Sequence, residues 1–76
     1  MKRLGEAVRT AQGVLVVRSP DETTPDIGTE VVDESLSTVG QVVDVFGPVE
    51  RPYLAVSLAS DVRPALLVGS PVYTRE

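Results

Sequence analysis

Neither cysteine nor histidine occurs in these 76 residues. Their absence removes the disulfide, the thiol nucleophile, the commonest general base and the usual zinc ligands together. Tryptophan is also missing and phenylalanine occurs once, which leaves little material for a surface that stacks successive nucleobases. No apolar run exceeds four residues, Val14 to Val17 being one, against the roughly 20 that a membrane-spanning helix needs. Met1-Lys2-Arg3 leads into no apolar signal-peptide core. A soluble, unsecreted protein of a reducing cytoplasm is the expectation.

Positive charge is scarce as well. Seven cations, only one of them lysine, face eleven acids, for a net charge of −4. Phosphate backbones are bound through Lys and Arg, so direct nucleic-acid binding is disfavoured. The acids are dispersed along the chain, a pattern that, with the lone lysine, suits a salt-rich cytoplasm.

What the chain does have is short β-branched runs separated by turn residues. At this length folding buries only about 60% of the surface of the unfolded chain, so one domain over residues 1–76 with a small core is expected. Lys2 to Thr10 reads as a strand with Leu4 and Val8 inward and Glu6 out of pattern. A helix from Leu4 to Gln12 is the competing reading, but at under about three turns it would be marginal alone. Ala11-Gln12-Gly13 supplies a turn into a second strand, Val14 to Arg18. Ser19 to Gly28, with two prolines and three acids, excludes helix and interior strand. Asp21, Glu22 and Asp26 lack the spacing of a calcium loop, so a solvated loop without metal is expected. Glu30 to Asp33 forms a third strand, and Glu34-Ser35-Leu36-Ser37 turns the chain back.

The fourth strand, Thr38 to Phe46, does not alternate cleanly. A bulge near Val43-Asp44 places Val42 and Val45 on one inner face, and Gly40 suits a sharp bend or the close approach of another backbone. A fifth strand, Tyr53 to Leu58, points Leu54, Val56 and Leu58 inward. Pro64 to Leu67 reads as a helical turn and Val72 to Thr74 as the last strand. Six short strands argue for a small all-β barrel or sandwich, and closure removes edges that so small a chain could not cover.

Catalysis has little to stand on. The serines at 19, 35, 37, 57, 60 and 70 lie in no nucleophile elbow and have no histidine to activate them. Gly47 and Gly69 are isolated, so no phosphate-cradling loop is visible. Attention therefore falls on Phe46-Gly47-Pro48-Val49-Glu50-Arg51-Pro52, followed by Tyr53. Two prolines and a glycine restrict this backbone before any ligand arrives, and rigidly held loops commonly carry function. Gly47, Pro48 and Pro52 shape the loop. Val49 projects between the prolines as an external apolar contact, and Glu50 and Arg51 mark a polar rim. For Phe46 and Tyr53 both core packing and interface contact stay open.

The run Gly40-Gln41-Val42-Val43-Asp44-Val45-Phe46-Gly47-Pro48-Val49, followed by Pro52-Tyr53, resembles the core domain of the glycine/arginine-rich-domain subunit of box H/ACA ribonucleoproteins. Arg3-Leu4-Gly5, Pro25-Asp26-Ile27-Gly28 and Val68-Gly69 before Val72-Tyr73 extend the resemblance over most of the chain. It implies a six-stranded antiparallel β-barrel resembling the second domain of translational GTPases. It also implies a non-catalytic subunit, without cofactor, that binds the catalytic domain of a dyskerin-type pseudouridine synthase. Such a subunit assists substrate loading and release during RNA pseudouridylation and hence rRNA processing. The other particle proteins and the guide RNA would be indirect partners. Phe46, Gly47, Pro48, Val49, Pro52 and Tyr53 are the expected partner-binding residues. The flanking glycine/arginine-rich tails of eukaryotic members are not present, which suits an archaeal source. A small barrel that binds RNA or a nucleotide directly is the alternative.

Overall fold

A computed structural model describes residues 2–20, 22 and 24–75. Six strands form: β1 (Lys2–Ala11), β2 (Val14–Arg18), β3 (Glu30–Val32), β4 (Thr38–Phe46), β5 (Tyr53–Leu58) and β6 (Pro71–Thr74). One 3-10 turn, Pro64–Leu66, interrupts the connection between β5 and β6. The tight turn between β1 and β2 follows from its residues: Gln12 and Gly13 both take positive φ, +51° and +83°, the combination that matches hairpin twist. Asp21 and Thr23 of the long loop lie outside the described residues, so of the three acids weighed there only Glu22 and Asp26 are placed, both exposed.

The strands close into a barrel in the order β1-β2-β5-β4-β3-β6, every neighbouring pair antiparallel. Closure bends the sheet, and the bends fall where the sequence allows them. The register of β4 against β5 shifts between Val42 and Asp44, the expected bulge. Val42 is fully buried and Val45 packs against the core, as that bulge requires. Gly40 lies where a side chain would collide with the Ser57 carbonyl, and Gly5 where one would collide with the Arg18 carbonyl.

Leu4, Ala7, Leu15, Val17, Val31, Val39, Val42, Leu54, Val56 and Val72 make the core, and Val45, Leu58 and Leu67 pack against it. Val8, expected to face inward, is instead exposed. The register of β1 against β2 shifts between Ala7 and Arg9, so Val8 is the extra residue of a bulge and Ala7 takes the inner position. Glu6 is exposed, which resolves its conflict with the simple alternation.

The β3–β6 seam is the thinnest, joined by the single register pair Val32 and Tyr73. Arg75 reinforces it: Nε donates to Glu30 Oε1 at 2.9 Å and Nη2 to the Leu36 carbonyl at 3.2 Å. Thr38 Oγ1 donates to Glu30 Oε2 at 2.7 Å. The residue that follows β6 is thus tied to the start of β3 and to the turn between β3 and β4. Within that turn Asp33 Oδ1 accepts from Ser35 N, Ser35 Oγ and Ser37 N.

Candidate functional site: the corner between the fourth and fifth strands

Phe46 ends β4 and Tyr53 begins β5, and the two are register partners. Tyr53 is also the register partner of Arg18, the last residue of β2. Three neighbouring strands thereby set three side chains in one outward row. The Phe46 and Tyr53 rings stack at 5.6 Å between centroids and 22° between planes. The Arg18 guanidinium lies 5.6 Å from the Tyr53 centroid, inside the range of a cation–π contact. Strand register alone builds this row, which is why Arg18, 28 residues before Phe46 in the chain, escaped a reading confined to the corner.

Between the rings the chain turns on Gly47, at φ +88°. A Cβ there would sit 2.9 Å from Tyr53 Cδ2, so glycine meets both the backbone demand and the space left by the ring. Pro52 is buried, and its carbonyl accepts the Ser19 N–H at 2.9 Å. That bond ties the corner to the loop leaving β2. Pro48 is exposed and Val49 is 78% exposed, while Phe46 retains 40% exposure and Tyr53 is half-buried. The six expected residues therefore divide: Gly47 and Pro52 form the frame, Phe46, Pro48 and Val49 form the surface, and Tyr53 belongs to both. Glu50 and Arg51 are exposed beside them.

Strand alternation also sends Val16 and Ala55 outward, because Leu15, Val17, Leu54 and Val56 point into the core. Both are nonetheless buried. They pair with each other in the next row after Arg18 and Tyr53, between Arg9 on β1 and Asp44 on β4. The wall behind the corner is thus apolar and covered by its neighbours, which gives the exposed residues a rigid support.

Among the described residues the carboxyls with displaced titration are Glu30, lowered chiefly by the hydrogen bond from Arg75 and then by that from Thr38, and Asp33, lowered chiefly by the Ser35 hydroxyl. Both move down, opposite to what a general acid at neutral pH requires. Among the described residues no three acids converge on a metal-sized site, and no helix is long and apolar enough to cross a membrane. A cavity of about 740 Å³ opens away from the corner. Lys2, Arg3 and Arg75 line it together with Asp26 and Glu30, and Glu30 already holds Arg75, so it presents no charge of one sign to a ligand.

The corner is an exposed apolar tip whose backbone Gly47 and Pro52 hold from within. No curated protein matches the chain. The family model described as "Gar1/Naf1 RNA binding region" matches residues 1–76.

Proposed function

The chain belongs to the Gar1/Naf1 family, an RNA-binding accessory family of H/ACA ribonucleoproteins rather than a catalytic one, and from that premise we propose that it is the subunit that docks on a dyskerin-type pseudouridine synthase. In this reading the corner formed by Phe46, Gly47, Pro48, Val49, Pro52 and Tyr53 meets the catalytic domain of the synthase. The bound subunit assists the loading of substrate RNA and the release of product, and so serves pseudouridylation, rRNA processing and ribosome biogenesis. The other particle proteins and the guide RNA are reached through the synthase. An archaeal, salt-rich cytoplasm is the proposed setting, supported by the dispersed acids and the single lysine.

The observation that carries the reading is the exposure of Val49 at the tip of a corner whose shape Gly47 and Pro52 fix from within. An exposed valine beside an exposed aromatic offers apolar area, and a rigid turn lowers the ordering cost of binding it. The acidic balance also favours protein over phosphate as the direct partner. Capture of interacting proteins on the tagged chain from a native lysate, followed by mass spectrometry, should recover the synthase. A capture that repeatedly lacks it would overturn the proposal.

The family description supports a second reading, direct contact with RNA. The row Arg18, Tyr53 and Phe46 offers one cation and two rings for it. Gel-shift binding of a guide RNA without the synthase, lost on Phe46→Ala, would favour this reading over docking.

A further inference from the structure

The two edges of β4 are unequally covered. β5 pairs with it from Gly40 to Phe46. On the opposite edge β3 pairs with Thr38, Gly40 and Gln41. The Val42 N–H then donates to the Thr29 carbonyl at 3.0 Å, and the Val42 carbonyl accepts the Gly28 N–H at 2.7 Å. No strand among the described residues continues that ladder toward Phe46. The bulge after Val42 shifts the alternation by one residue, so Val45 is the next to turn its main chain to the open edge. Its N–H does not point at another strand: it donates to the adjacent Asp44 Oδ1 at 2.8 Å. A bulge and a charged side chain are the devices by which proteins keep an open edge from pairing indiscriminately.

Apolar side chains border this guarded edge. Ile27 is 60% exposed in the turn whose Gly28 pairs with Val42, and Val43 and Phe46 are each 40% exposed on β4 itself. Acids accompany them: Asp26 precedes that turn, Asp44 guards Val45, and Glu50 follows in the corner, with Arg51 as the neighbouring cation.

We propose that the open edge of β4 receives an extended segment of the partner protein, whose main chain takes the Val45 N–H from Asp44. This is strand addition. The segment it fits is apolar at the positions facing Ile27, Val43 and Phe46, and carries Lys or Arg to meet Asp26 or Glu50. Val45 supplies one donor and one acceptor, so the main chain sets the register while the apolar side chains and charges supply most of the affinity. The inference rests on the docking reading above and specifies its mode.

Amide exchange on the full 15N-labelled chain, free and bound to the full-length synthase of the same organism, tests it. In the complex the Val45 amide should exchange at least about tenfold more slowly. Asp44→Ala, which frees that donor, should bind at least as tightly as the unaltered chain. A complex that protects the corner amides but leaves Val45 unchanged would overturn strand addition and keep docking. Weakening of about tenfold on Asp44→Ala would likewise overturn it, because the carboxylate would then be a direct ion-pair partner. Failure of the synthase to bind at all would overturn both.

Discussion

Gly47→Ala isolates the cost of the corner's shape, because the barrel contains its own control. Gly13 and Gly47 have nearly equal φ, +83° and +88°. A Cβ at Gly13 meets nothing within 4 Å, whereas one at Gly47 comes within 2.9 Å of the Tyr53 ring. Forcing an L-residue into left-handed backbone costs about 1–2 kcal/mol, and the stiffer unfolded chain returns about 0.4–1 kcal/mol. Gly13→Ala should therefore destabilise by roughly 0–1.6 kcal/mol. At Gly47 the Tyr53 ring must also shift, which disturbs its stack on Phe46, and such a stack contributes about 0.5–1.5 kcal/mol beyond its buried area. Gly47→Ala is thus expected to lose about 1 kcal/mol more than Gly13→Ala. For a chain of this size that separates the melting temperatures by about 4–8 °C. Thermal unfolding followed by far-UV circular dichroism gives the number, and the tyrosine near-UV signal reports the displaced ring. Melting of the two variants within about 2 °C of each other would refute the role assigned to the Gly47–Tyr53 contact.

Gly40→Ala should be the more damaging change, destabilising by about 3 kcal/mol, because its Cβ meets the Ser57 backbone rather than a ring that can swing aside. A denaturant midpoint close to that of the unaltered chain would contradict the close approach of β4 and β5. Glu30 should titrate below the ordinary glutamate range, first because Arg75 donates to it and then because Thr38 does. Since its folded pKa is depressed, its contribution to stability is present above the unfolded pKa and is lost as pH falls through the folded value. Arg75→Ala should move the Glu30 carboxyl back up in an NMR titration. A carboxyl unmoved by that change would show that the clasp on the β3–β6 seam is not formed in solution.

Much of the barrel was legible in the chain because turn residues and β-branched runs coincide. Gln12-Gly13 sets the first hairpin, and the broken alternation of Thr38–Phe46 foretold both the bulge and the inner pair Val42 and Val45. Val8 was misplaced because a bulge in β1 leaves no mark in a sequence whose parity already looked apolar at Leu4 and Val8. The division of the corner into frame and surface was legible only in part. Exposure of Val49 follows from its place between prolines, but Pro52 is anchored by Ser19, whose bond to it crosses 33 residues of chain. The position of Arg18 beside Tyr53, the outward yet buried pair Val16 and Ala55, and the guarded edge at Val45 all arise from strand order. Strand order in a closed barrel depends on long-range pairing, and local pattern does not specify it.

The central claim is that this corner is the docking surface, and titration calorimetry of the chain against the catalytic domain of the synthase tests it most directly. Val49 is 78% exposed, so Val49→Asp should leave the melting temperature unchanged. The account predicts that Val49→Asp weakens binding by at least about tenfold, or about 1.4 kcal/mol. Equal dissociation constants for the two folded proteins would contradict it.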